Sequence, residues 1–176
     1  MRSRWIGDRA VGALGLGTAS LSLVEDADDA GSERLIELAI ENGVSYLDTA
    51  AAYTRAGVAA HSERMIARVL KRTSADVMVG TKGGHYRDDA IWPVDGRPES
   101  IRANCIASLR ALETACLDLY FLHKPDLEVD FEDTDDGDSF GDERESSSRG
   151  ASSYPGLDAA PQSDRYMRAR CWVSEE

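Results

Sequence analysis

What most limits the fold of this chain is an alternation in its first 126 residues. Short runs that are apolar throughout, around GALGLG, VSYLD, DVMVG and LDLYFL, take turns with longer stretches whose apolar residues recur at helical spacing. In SERLIELAIENG the stripe is Leu35, Ile36, Ala39 and Ile40, with Ser32 expected to cap the start and Gly43 to end the helix. SERMIARVLKR repeats it with Met65, Ile66, Val69 and Leu70. RPESIRANCIASLRALE puts Ile101, Cys105, Leu109 and Leu112 on one face and offers Pro98 for the first turn. Strands without a polar face must be covered on both sides, so the order predicts a parallel sheet flanked by helices, preceded by a small hairpin around RWIGDRAV. A doubly wound sheet and a (β/α) barrel fit this order equally.

Past Asp126 the alternation stops. The text DTDDGDSFGDERESSSRGASSYPG has few aliphatics, and residues 127–176 hold 14 Asp/Glu against 5 Lys/Arg, whereas residues 1–126 hold 18 against 15. Such a segment cannot bury enough apolar area to offset the entropy of ordering it, so residues 131–176 are expected to be a disordered acidic, serine-rich tail beside a folded unit at 1–130. A shifted reading frame or a gene-model error would give the same switch, and 17 arginines to 3 lysines fit GC-rich coding DNA. Read as a calcium loop, EDTDDGDSFGDE has Glu132 and Thr134 as poor first and third ligands, so it is taken as solvated surface. The net charge of −12 argues against nucleic acid or an anionic membrane as partner, and no run approaches the ~20 apolar residues of a membrane span. Cys105, Cys116 and Cys171 are odd in number and lack metal-site spacing, which points to plain thiols in a reducing, cytoplasmic setting.

Parallel α/β folds gather functional groups just past the carboxyl ends of their strands. Here those positions hold Asp48, Lys82 and His123, and Tyr53 comes five residues after Asp48. An ammonium beside a phenol favours phenolate, so Lys82 is expected to lower the proton affinity of Tyr53 while Asp48 balances the lysine. His123 can hydrogen-bond a substrate carbonyl. The set suits protonation of an oxygen on which negative charge develops. GALGLGT lacks the G-x-G-x-x-G order of a dinucleotide fingerprint, TKGGHYR lacks a P-loop's Lys-Ser/Thr, and His61, His85 and Cys105 have no metal-ligand spacing.

GLGT, YLDTAAAY, SERMIARVL, GTKGG, SIRANCIASLRAL and LDLYFLHKPD, in this order, resemble the first half of an aldo-keto reductase over residues 4–126. The resemblance implies a (β/α)8 barrel that reduces aldehydes or ketones with NADPH. It also implies a catalytic tetrad of Asp48, Tyr53, Lys82 and His123, with Gly17, Thr18 and Asp48 beside the cofactor. A whole barrel takes ~250 residues, and nothing in residues 127–176 resembles the family's fifth to eighth strands. The expectation is therefore about four βα units, with the chain as written truncated and inactive. The alternative is a non-catalytic half-barrel or interaction subunit that self-associates through exposed barrel edges. The loop HYRDDAIWPVDGRP is expected to wall the pocket, with Trp92 as an apolar contact or as plain surface.

Overall fold

A computed structural model describes residues 2–130, apart from 25, 56, 57, 89 and 90. The expectations for residues 131–176 lie outside the described residues. The chain opens with an antiparallel hairpin of β1 (Ser3–Ile6) and β2 (Arg9–Gly12), turned at Gly7 with φ 59°. Then come β3 (Leu16–Gly17), α1 (Ala19–Leu23), α2 (Asp29–Glu41), β4 (Tyr46–Asp48), α3 (His61–Leu70), β5 (Met78–Gly83), α4 (Pro98–Leu112) and β6 (Leu119–Leu122). The four strands β3-β4-β5-β6 pair side by side, all parallel, in sequence order. Successive neighbours joined by helical crossovers are the pattern of a barrel wall, whereas a doubly wound sheet reverses its strand order partway.

Every strand sends alternate residues to opposite faces. Leu47, Val79, Tyr120 and Leu122 point outward into a layer with Ile36, Ile40, Met65, Ile66, Val69, Ile101, Cys105 and Leu109 of the helices. The other face carries Met78 and Leu119, packed with Val11, Ile6, Tyr46 and Phe121, so the hairpin covers the amino-terminal end of the sheet. Arg9 fastens that cover through ion pairs to Asp76 and Asp118, each just ahead of a strand.

Several local expectations need correction. Asp28, not Ser32, caps α2: its carboxylate accepts from the Ala30 and Gly31 amides at 3.1 and 2.9 Å, while Ser32 is buried one turn into the helix. Leu35 is 44% exposed, so the buried stripe of α2 runs through Ile36 and Ile40 instead. The helix α1 has no counterpart among the sequence expectations, because TASLSL has no room for a repeating stripe. Cys105 is disulfide-bonded, whereas Cys116 keeps its thiol, which donates to the Leu117 carbonyl at 3.5 Å. Pro98 does open α4, and Gly43, at φ 89°, comes just after the end of α2. Among the described residues no helix is long and apolar enough to cross a membrane.

Candidate active site

The parallel register decides which side chains share the inner face at the carboxyl end of the sheet. Gly17 pairs with Asp48, Asp48 with Gly80, and Lys82, two residues further along β5, with Phe121. Asp48 and Lys82 therefore lie one above the other on adjacent strands. The Lys82 ammonium donates to Asp48 Oδ2 at 2.7 Å and to the Thr49 carbonyl at 2.7 Å. Lys82 Nζ also lies 5.4 Å from the centre of the Tyr53 ring. His123, one residue past β6, donates its amide hydrogen to the Gly83 carbonyl at the end of β5 and meets the Tyr53 ring edge-on with centroids 5.7 Å apart. Asp48, Tyr53, Lys82 and His123 thus converge on one rim from three strand ends and a loop.

Tyr53 gets there by a short turn. Its amide donates to the Ala50 carbonyl, and its own carbonyl accepts from the Ser62 amide at the start of α3. Behind this turn three buried hydroxyls form a row: Thr49 Oγ1 bonds Ser62 Oγ at 2.9 Å, Ser62 Oγ bonds Thr18 Oγ1 at 2.7 Å, and Thr18 Oγ1 bonds the Asp48 carbonyl at 2.9 Å. A carbonyl only accepts, so Thr18 donates to it, Ser62 donates to Thr18, and Thr49 donates to Ser62. The Thr18 side chain lies fully buried under the rim with its proton committed. Gly17 is exposed, and a side chain there would meet nothing within 4 Å.

The electrostatics differ from expectation in one respect. The Tyr53 phenol is pushed above its ordinary value, by burial first and by the Asp48 carboxylate second. Lys82 does not reverse this, because its ammonium is aimed at Asp48 and the Thr49 carbonyl, and the paired carboxylate cancels much of its field at the phenol. Tyr53 is therefore a neutral phenol at pH 7, a proton donor rather than a phenolate. His123 is pushed down to about 4 by burial, with Lys82 and His85 adding to it, so its imidazole is neutral.

His85 is a residue that strand-end reasoning misses. The turn through Gly84, at φ 76°, carries it back over the rim, where its ring meets His123 edge-on at 4.9 Å and Trp92 at 5.3 Å. His85 pairs with Val94, and Trp92 leans on His85, which leans on His123. Two adjacent glycines before a histidine are the available signal.

The sequence profile of the Aldo/keto reductase family matches residues 13–137. The chain belongs to the aldo/keto reductase family. Among curated relatives, it is 30% identical over 138 residues to the Uncharacterized oxidoreductase YqkF of Bacillus subtilis (strain 168), covering 76% of this chain and 42% of that one. It is 29% identical over 102 residues to the Probable aldo-keto reductase 1 of Glycine max, covering 57% and 28%. Solved aldo/keto reductase barrels superpose on it. The holo form of AKR11C1 from Bacillus halodurans gives a TM-score of 0.63 at 29% identity, covering 76% of this chain and 44% of that one. The glycerol dehydrogenase AKR11B4 from Gluconobacter oxydans gives 0.64 at 28%, covering 72% and 40%. The chain spans less than half the length of these relatives, and its described residues, three βα units and the strand β6, correspond to part of a (β/α)8 barrel.

Proposed function

We propose that this chain carries the proton-donating part of an NADPH-dependent carbonyl reductase site, acting on a small aldehyde or ketone. The supporting observation is the convergence of Lys82 on Asp48 at 2.7 Å, beneath a Tyr53 ring that also meets His123. NADPH, when bound, would supply hydride. Tyr53 gives its hydroxyl proton to the substrate oxygen as negative charge grows there, and Lys82 stabilises the phenolate left behind. Asp48 keeps the ammonium aimed. Neutral His123 has one N–H with which to orient the carbonyl. The open strip at Gly17, in register with Asp48, fits a cofactor laid against backbone, while buried Thr18 serves that strip by holding the Asp48 carbonyl.

The test is oxidation of NADPH by the full chain with a simple aldehyde, followed by absorbance. The reductase reading expects the wild-type chain to turn over, against the sequence expectation of a truncated and inactive chain, and Tyr53→Phe to lose turnover with an unchanged melting temperature. Equal rates for the two remove the assignment, and no turnover from folded wild type removes the reductase reading of this chain. In that case a non-catalytic half-barrel that pairs with another chain is the second reading. What supports it is that β3 and β6 are the outer strands of the described sheet and that Leu14, Leu35 and Leu38 are exposed. Concentration-dependent dimers in sedimentation would favour it. Within either reading, a cytoplasmic location and a boundary near residue 130 are part of the proposal.

A further inference from the structure

Tyr46 lies two residues before Asp48 on β4, so both side chains leave the same face of the strand. The space for its ring is made by two glycines. A Cβ on Gly15 would come within 2.7 Å of Tyr46 Cδ1 and 3.2 Å of the Tyr46 carbonyl oxygen. A Cβ on Gly80 would collide with the Tyr46 hydroxyl, and would stand 3.2 Å from Tyr46 Cε2 and 3.1 Å from Phe121 Cε2. The ring is thus lodged between a position beside β3 and one on β5, packed among Met78, Leu119 and Phe121. The hydroxyl at its end lies against Gly80, the β5 residue in register with Asp48, and the phenol is pushed up to about 12, by burial first and by the Asp48 carboxylate after it.

We infer that Tyr46 is a positioning residue: its hydroxyl, seated beside Gly80 by the absence of side chains at Gly15 and Gly80, donates to the Asp48 carboxylate and so fixes the Asp48–Lys82 pair. The Asp48 side chain is 34% exposed, so water competes for its oxygens, and a single ammonium contact would let it swing about its Cα–Cβ bond. A second donor on the inner side removes that freedom. Lys82 then sees a carboxylate in one place, which keeps its ammonium under Tyr53. Tyr53 and Tyr46 play different parts: the first stands at the open rim, and the second, one layer deeper, never meets a substrate.

The inference rests on the proposed site, but it can be tested apart from turnover because the chain has only three lysines, Lys71, Lys82 and Lys124. The folded full chain is labelled with a small acylating reagent and each lysine's rate is read by mass spectrometry. Tyr46→Phe keeps the ring and removes the hydroxyl, and it is expected to raise the Lys82 rate by about tenfold while leaving the rates at Lys71 and Lys124 unchanged. Gly80→Ala keeps the hydroxyl but displaces it, and is expected to raise the Lys82 rate in the same selective way. An unchanged Lys82 rate in folded Tyr46→Phe overturns the inference. A rise at all three lysines, which general loosening would cause, also overturns it if Gly80→Ala gives the same pattern. Where the wild-type chain reduces an aldehyde, Tyr46→Phe is expected to lower kcat with KM kept, and a change confined to KM counts against the inference. Failure of wild-type turnover together with a selective rise at Lys82 removes the reductase reading and leaves Tyr46 as the anchor of the pair.

Discussion

Two clusters among the described residues contain the residue types from which enzymes build active sites, and only one of the two faces an opening. At the rim, Asp48, Lys82, Tyr53 and His123 meet at the carboxyl ends of three strands, beside the open strip at Gly17. Between α1, α2 and α3, Ser22 Oγ lies 2.9 Å from His61 Nδ1, and His61 Nε2 lies 3.1 Å from Asp29 Oδ2. Taken as a list of atoms, the second cluster is a hydroxyl, an imidazole and a carboxylate in relay, the arrangement of a serine hydrolase. Ser22 and His61 are, however, 1% and 3% exposed, and Asp29 is drawn off into an ion pair with Arg55. No acyl carbon can reach that hydroxyl. The same polar chemistry serves there as a buried clasp between three helices, so access rather than residue type separates a site from a fastening.

The sharpest way to break this comparison is kinetic. In a sample that turns over, Tyr53→Phe is expected to lower kcat by roughly 10²-fold or more, while Ser22→Ala leaves kcat within about twofold. Loss of turnover in a folded Ser22→Ala variant would erase the distinction. Next in size is stability: His61→Ala removes the centre of the clasp and opens a buried space, and is expected to cost ~2–4 kcal/mol in denaturant unfolding. His123→Ala, at the half-open rim, is expected to cost less.

A third test uses pH. His123 resists protonation in the folded chain, with its midpoint pushed down to about 4 from the ordinary 6.5. The unfolded chain takes up that proton first, so stability falls as pH drops from ~6.5 towards ~4. His123→Gln should flatten that part of the stability curve, measured by melting at stepped pH. Smallest is an effect in the opposite direction. Glu63 is fully buried in α3, receives the Thr81 hydroxyl at 2.6 Å, and is pushed up chiefly by burial. Its charged form is disfavoured in the fold, so Glu63→Gln should gain on wild type as pH rises above the usual carboxylate range and lose that gain in acid.

How much of this is legible in the sequence depends on where the information sits. The four parallel strands are legible because each is apolar on both faces, and α3 and α4 because their stripes match what they bury, Met65, Ile66 and Val69 on one and Ile101, Cys105 and Leu109 on the other. The helix α2 is legible in kind but not in orientation: Leu35 and Ile36 are adjacent, and only the position of the sheet decides that Ile36 is the one inside. At the site, Asp48, Lys82 and His123 stand out because each closes an apolar run, the place where parallel strands present functional groups. Tyr46 does not, because it precedes the strand end by two residues and depends on glycines from either side of it. The direction of the Tyr53 shift escapes the sequence for a related reason. A sequence shows that a lysine is near, and only coordinates show that its charge is already answered by Asp48.

The row of hydroxyls from Thr49 through Ser62 to Thr18 has a direction built into it. Because it ends on a carbonyl, it has a head and a foot, like a queue that moves only one way. Removing the head, as in Thr49→Val, leaves Ser62 with an unfilled lone pair, which folded proteins tolerate. Removing the foot, as in Thr18→Val, strands a buried O–H with nowhere to point, and orphaned donors are the rarer and costlier defect. Two substitutions of identical shape, a few ångströms apart, should therefore differ in how readily the protein accepts them, and natural variation along this row should be freer at the Thr49 end.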